Sequence, residues 1–295
     1  MISINDQEFG LFQDLIREQA GISLAATKRS LLEARLGNRV RELGFDSYTA
    51  YYRYVIDTRG NELTEMLDRI STNETRFFRE PQQFDFLTRL VVHDWAAQAA
   101  IGLRPRQICA WSAGCSSGEE PYSLAMVLWS HLVPSTGWQI QILATDISTR
   151  VLKRARKGIW PLEKAKDIPP EYLKRFMLKG TGKQEGKMKV DEEIGSLIRF
   201  ERLNLNDEMY PVSLFDLILC RNVLIYFDQQ RREQIVDRLL AHLRPGGIFL
   251  IGHSERLVGM TDRVVNIMPT IYVRVGEASF SGMCGTRHRE TRVSR

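Results

Sequence analysis

An α/β fold, built on a mainly parallel, doubly wound sheet with a helical domain before it and a small antiparallel insertion within it, is predicted by three features of this 295-residue sequence. The first is the stretch Ile108 to Met126, ICAWSAGCSSGEEPYSLAM, where an apolar run breaks into small residues and then opens a helix. The second is the alternation of apolar runs with helical periodicity that starts there, stops between Gly158 and Gly195, and resumes to residue 275. The third is a purely helical pattern from Phe9 to Ile70, marked by turns at Gly21, Gly44 and Gly60.

Within the first stretch, Ile108 to Trp111 suit a buried strand and Ala113 to Gly118 hold nothing larger than Cys. Pro121 fits the first turn of a helix running to about His131. In a doubly wound sheet the crevice beyond such a strand, beside a helix N-terminus, receives nucleotide-like cofactors. Gly114 and Gly118 are expected to let backbone approach a ligand closely. The spacing is not G-x-G-x-x-G, and Glu119 and Glu120 stand where a pyrophosphate would want no negative charge. A cofactor with positive charge fits better, and S-adenosylmethionine, with ammonium and sulfonium groups, is one. An ordinary turn between a core strand and a helix is the alternative. A second strand, Ile140 to Thr145, ends in Asp146, where an ionised acid can accept from both hydroxyls of a ribose. A helix from Ser148 to about Lys157 follows.

In the helical region, Thr27 is expected to cap a helix whose Leu32, Leu36, Val40 and Leu43 form one apolar stripe. Residues 28 to 41 carry Lys28, Arg29, Arg35, Arg39 and Arg41 against Glu33 alone. Such a face is either simply solvated or a dock for an acidic partner. The connector STNETRFFRE, residues 71 to 80, mixes short hydrogen-bonding side chains, two phenylalanines and two arginines, a composition suited to closing over a cofactor on the next domain. A helix from Pro81 to about Ala100 precedes the alternation.

The insertion holds Pro169-Pro170, a short helix at Glu171 to Phe176, and the glycine-spaced hairpin LKGTGKQEGKMKV. Residues 153 to 189 carry twelve Lys and Arg against four acids, an excess larger than the +5 of the whole chain. Strands are then expected at Leu197 to Leu203, at FDLILC (215 to 220), at Ile248 to Gly252 after the turn Pro245-Gly246-Gly247, and near Thr270 to Val275, with a helix from Gln229 to Leu243. Residues 276 to 295 read as a disordered basic tail. No apolar run reaches membrane-spanning length and the N-terminus lacks a signal-peptide layout, so a cytoplasmic protein, not membrane-embedded, is expected. The four cysteines, Cys109, Cys115, Cys220 and Cys284, form no C-x-x-C pair and have no histidine at ligand spacing; neither a metal nor a disulfide framework is expected.

Five motifs in order, TNETRFFRE, WSAGCSSGEEPYSLAM, ATDIS, FDLILCRNVLIYFD and LRPGGIFLIGHSE, make the chain resemble the CheR family, the S-adenosylmethionine-dependent protein-glutamate methyltransferases of bacterial chemotaxis. The likeness runs from the basic second helix to the last strand. It implies a class I, Rossmann-like methyltransferase domain over 76–275, with a β-subdomain inserted at 158–197, behind a helical domain over 1–75.

Residue by residue, the resemblance implies that Asn73, Thr75 and Arg79 reach the cofactor from the connector. Glu120, or its neighbour Glu119, should touch the methionine part, and Asp146 the ribose. Asn204 with Leu205, and Arg221 with Asn222, should wall the adenine and the methyl group. Arg79, Arg221 and Tyr226 should stand beside the incoming substrate as catalytic residues, in a reaction that yields a glutamate methyl ester and S-adenosylhomocysteine. The resemblance also implies that the acidic helices of chemoreceptors dock on the basic helix. There Arg35 and Arg41 match implicated arginines, Arg39 shares the helix, and Asn38 replaces a common arginine. The loop of Gly180, Gly182 and Gly186 resembles the part that, in some members, binds a receptor's C-terminal peptide by strand addition. A monomer that does not bind nucleic acid is expected. A nucleic-acid methyltransferase is the competing reading, but the chain lacks an N-P-P-[YF]-type tetrad, a Pro-Cys pair and a basic stripe interleaved with aromatics. Against a third reading, a non-catalytic S-adenosylmethionine-binding module, stand Arg221 and Tyr226.

Overall fold

The structure, a computed structural model, describes residues 3–58, 60–133, 137–257 and 259–276; the expected tail beyond 276, with Cys284, lies outside them. The helical region folds as α1 (Asp6–Ala20), α2 (Arg29–Glu42), α3 (Tyr48–Thr58) and α4 (Asn61–Ile70). A capping box starts α1: the Asn5 side chain accepts the Glu8 N–H at 2.8 Å, and the Glu8 carboxylate accepts the Asn5 N–H at 3.0 Å. Leu32, Leu36 and Val40 are buried as their spacing predicts, against Phe12, Tyr48 and Tyr51. Thr27 does not cap α2. A 3₁₀ turn, Ala26–Lys28, runs straight into the helix, and the Lys28 and Arg29 N–H groups donate to the Ala25 and Ala26 carbonyls.

The sheet has the order β6-β2-β1-β7-β8-β10-β9. Its strands are β1 (Gln107–Ala113), β2 (Gln139–Asp146), β6 (Ile198–Arg202), β7 (Phe215–Cys220), β8 (Leu243–Ile251), β9 (Val264–Met268) and β10 (Ile271–Arg274). The first five in that order pair in parallel, whereas β10 is antiparallel to both β8 and β9. Ile108 and Ala110 of β1 face helix Glu119–Leu132 and the helical run over 81–100; Cys109 and Trp111 face helix Gln229–Ala241. Burial on both faces is why residues 108–111 of β1 and 217–220 of β7 read as unbroken apolar runs.

Two expectations shift. Pro245-Gly246-Gly247 does not precede the strand but lies inside β8, at the point where the register with β7 slips. The strand β9 was not foreseen, since this outermost strand is largely exposed and lacks a burial pattern. In the insertion, β4 (Met177–Lys179) and β5 (Lys187–Val190) form the expected hairpin, and β3 (Ile159–Pro161) adds a third antiparallel strand in the order β3-β5-β4. Three residues are too few to show a period. A Cβ on Gly180 would stand 2.0 Å from the Gln184 carbonyl oxygen, so the hairpin turn requires glycine there.

The helical domain is tied to the carboxyl edge of the sheet. Asn204 and Asn206 donate their side-chain amides to the Gln19 and Glu18 carbonyls at the end of α1, at 2.8 and 2.9 Å. In return, Asp68 on α4 caps helix Thr149–Lys157, accepting from the Thr149 hydroxyl at 2.7 Å and the Arg150 N–H at 3.2 Å. The Ser23 N–H donates to the Tyr226 carbonyl at 2.8 Å.

Candidate functional site

Between the two domains, at the carboxyl ends of β1, β2 and β7, lies a cavity of about 570 Å³. Asn73, Thr75, Arg79, Glu120, Asp146, Asn204, Leu205, Arg221, Asn222 and Tyr226 all border it, as does Arg35 from α2. The connector closes over one side. Its Phe77 and Phe78 are buried, Phe77 edge-on to Trp160 and Phe78 stacked on Tyr172, both residues of the insertion. Two hydrogen bonds pin it to the strand–helix turn: the Ser116 hydroxyl donates to the Asn73 carbonyl at 2.8 Å, and the Phe78 N–H to the Ser123 hydroxyl at 3.0 Å.

Asp146 ends β2 with each carboxylate oxygen accepting one backbone N–H, from Ser116 and from Ser148, both at 2.9 Å. A carboxylate oxygen has two lone-pair sites, so each keeps one for a hydroxyl. Burial pushes its pKa up, and the two N–H groups pull it back part of the way.

Glu120 and Glu119, adjacent in sequence, diverge. Glu120 borders the cavity, accepting from the Ser112 hydroxyl at 2.7 Å and from Arg221 at 3.1 Å. Glu119 is wholly buried and away from the cavity lining; it accepts from the Ser117 hydroxyl at 2.7 Å and pairs with Lys164 of the insertion.

Arg221 is more deeply committed than its motif suggests. Its side chain is 1% exposed; Nη1 meets Glu120, while Nη2 meets Glu80 at 3.2 Å and donates to the Arg79 carbonyl. Burial acts to raise Glu80, but Arg221 and the His253 N–H hold it below the usual carboxylate range. Glu120 goes the other way: burial raises it, and Arg221 recovers only part.

Asn204 is likewise engaged, in holding α1, and its Oδ1 accepts the Asn206 N–H at 3.0 Å. On α2, Arg39 is turned onto Glu62, Arg35 donates to the Ile70 carbonyl and to Thr72, and Arg41 stays exposed beside Asn38. Gly180, Gly182 and Gly186 lie between or beside β4 and β5, away from the cavity.

Two buried acids that are not among the expected site residues also shape the crevice. Glu80 closes TNETRFFRE, and Glu255 closes LRPGGIFLIGHSE. Glu255 accepts the N–H groups of Gly252, Asn222 and Ile225 at 2.6, 3.0 and 3.3 Å, and so shapes the loop after β7. Their positions at motif ends were the available signal. Gly114 borders the cavity, and its Cβ would come 2.4 Å from a Val223 methyl, so the close approach of the loop after β7 also requires glycine there. Phe78, Glu80, Ser116 and Asn222, four of the five described non-glycine residues with positive φ, stand on the segments around this cavity. Backbone strain of that kind collects at binding sites.

The lining suits a cationic nucleoside. Ile147, Leu203 and Leu205 supply apolar wall beside Asn204, Asp146 supplies acceptors for a diol, and Glu120 an incompletely compensated charge. The volume is that of a small-molecule site. Among the described residues, no group of three or more His, Cys, Asp and Glu is placed to hold a metal ion. Nor, among those residues, is any helix long and apolar enough to cross a membrane.

Fold and site together define an S-adenosylmethionine-dependent methyltransferase. Residues 73–273 match the CheR methyltransferase, SAM binding domain, and residues 7–71 the CheR methyltransferase, all-alpha domain. The chain belongs to the CheR methyltransferase family. It is 38% identical to the chemotaxis protein methyltransferase of Borreliella burgdorferi over 92% of this chain and 95% of that one. It is also 38% identical to chemotaxis protein methyltransferase 2 of Pseudomonas aeruginosa, covering 90% and 92% of the two chains, and 36% identical to the Escherichia coli chemotaxis protein methyltransferase, covering 92% of each.

Proposed function

We propose that this cytoplasmic, monomeric enzyme esterifies glutamate side chains on the cytoplasmic helices of bacterial chemoreceptors. The observation that carries the proposal is the convergence on one cavity of the connector, the Asp146 tip and the loop after β7. When bound, S-adenosylmethionine supplies a methyl group on positively charged sulfur. Asp146 holds ribose hydroxyls with the lone pairs that Ser116 and Ser148 leave open. Glu120, fixed by Ser112 and Arg221, meets the positive charge of the methionine part. Asn204, Leu205 and Asn222 wall the base, and Asn73 and Thr75 close the roof.

A glutamate carboxylate is ionised near neutral pH, so the chain need not remove a proton from its substrate. The task is alignment of carboxylate, methyl carbon and sulfur. Arg79 and Tyr226, which border the cavity with polar ends not tied to another side chain among the described residues, orient one substrate oxygen and leave the other to attack. Arg221 acts from behind, by fixing Glu120 and the connector carbonyl of Arg79.

Receptor helices, being acidic, meet α2 through Arg35 and Arg41, while Arg39 holds α2 to α4 through Glu62. The outer edge of β4, which among the described residues pairs only with β5, accepts a receptor C-terminal peptide as an added strand, with the Gly180, Gly182 and Gly186 loop beside it. Incubation with methyl-labelled S-adenosylmethionine and receptor-bearing membranes should label the receptor, and alkali should release the label as methanol. Label that survives alkali, or that never reaches the receptor, overturns the proposal.

A further inference from the structure

Lys164 belongs to the insertion, on the 3₁₀ segment Leu162–Asp167, yet its ammonium group leaves that subdomain and pairs with Glu119 at the start of helix Glu119–Leu132. Glu119 is 0% exposed, and its other oxygen accepts from the Ser117 hydroxyl at 2.7 Å. The flanking residues face the cavity. Ser116 bonds Asp146 through its N–H and the Asn73 carbonyl through its hydroxyl, and Glu120 meets Arg221. The Glu119 carbonyl accepts from the Ser123 hydroxyl at 2.7 Å, and that hydroxyl oxygen in turn accepts the Phe78 N–H of the connector. Floor and roof of the cavity therefore converge on one peptide. A buried carboxylate stripped of its cation is costly where it stands, and its movement toward water displaces the turn that carries it.

We infer that Lys164 is a positioning residue for methyl transfer: through Glu119, the inserted subdomain sets where Ser116 and Glu120 stand and hence how tightly the cofactor is held. The inference rests on reading the cavity as the cofactor site. Calorimetry on the full chain with S-adenosylhomocysteine tests it. Lys164→Met should weaken binding by about tenfold and raise the KM for S-adenosylmethionine by a similar factor, with kcat within about twofold of wild type. Lys164→Arg should restore affinity. Lys164→Met combined with Glu119→Gln should bind more tightly than Lys164→Met alone but less tightly than wild type.

A lowered Tm for Lys164→Met with unchanged affinity would reduce the pair to a structural brace and overturn the inference. If Lys164→Met does not fold, the double variant replaces it, and wild-type affinity there overturns the inference instead. Asp146→Ala separates the two readings. If it keeps wild-type affinity the cavity assignment fails; if it loses affinity while Lys164→Met does not, only the role of Lys164 fails.

Discussion

Two arginines, one in each domain, are held by buried carboxylates, and the two are balanced differently. In the helical domain Arg39 meets Glu62 through Nε at 2.9 Å and Nη2 at 2.5 Å, and the Tyr51 hydroxyl donates to the same carboxylate at 2.9 Å. Burial opposes the charge on Glu62, but those donors hold its pKa below the usual carboxylate range, and Arg39 is raised by its hydrogen bond to Glu62. In the crevice, one guanidinium serves two acids. Glu80 is held low, Glu120 is left high, and Glu120 is the one that borders the cavity. Arg39 has one buried acid, Glu62, its second partner Glu42 being half exposed at 3.5 Å, whereas Arg221 is shared between two acids of the crevice and leaves Glu120 under-compensated.

The sharpest break in that contrast is Arg221→Ala. The buried Glu80 and the partly buried Glu120 then lose their shared cation, and the stability to urea should fall by about 3–5 kcal/mol. A fall of less than about 1 kcal/mol would mean the cluster carries little of the fold. Next, Glu62→Gln should cost about 2 kcal/mol and leave S-adenosylhomocysteine affinity unchanged, since the cavity is elsewhere. Glu120→Gln should do the reverse: little change in stability, and affinity weakened about tenfold, or about 1.4 kcal/mol. If both variants weakened binding equally, the distinction between the two clusters would be lost.

The pH dependence follows the same division. Glu62 and Glu80 have folded pKa values below their unfolded ones. Their contribution to stability is present above the unfolded values and disappears as pH falls through the folded ones. Glu120 and Asp146 are raised, so in the free enzyme they favour folding at low pH and lose that contribution as pH rises through their folded values. Binding of a cation wants Glu120 ionised, so affinity should fall as pH is lowered from about 7 to about 5. Calorimetry over that range should give a shallower fall in Glu120→Gln. The smallest effect belongs to Arg41→Ala, at an exposed position: stability within about 0.5 kcal/mol, with the loss confined to the KM for receptor.

Residues whose role is set by the local chain were legible in advance. Leu32, Leu36 and Val40 point inward because a helix repeats, and Asp146 ends its strand at the crevice because β1 and β2 run parallel in register. Glu119 and Glu120 looked alike, because nothing in GEEP says which will find Lys164 and which Arg221. Those partners lie 45 and 101 residues away. The Arg221 motif resembled a substrate contact, and the chain alone could not reveal that Glu80 would already occupy its guanidinium.

The sequence by itself determined the α/β alternation, the helical domain, the insertion and the family, because periodicity and motif order are properties of neighbours along the chain. Only the tertiary structure decided the charge state of the crevice. How far a buried carboxylate is compensated depends on which cations fold in beside it, and here the connector, the loop after β7 and the insertion each bring one charged group from a distant part of the chain.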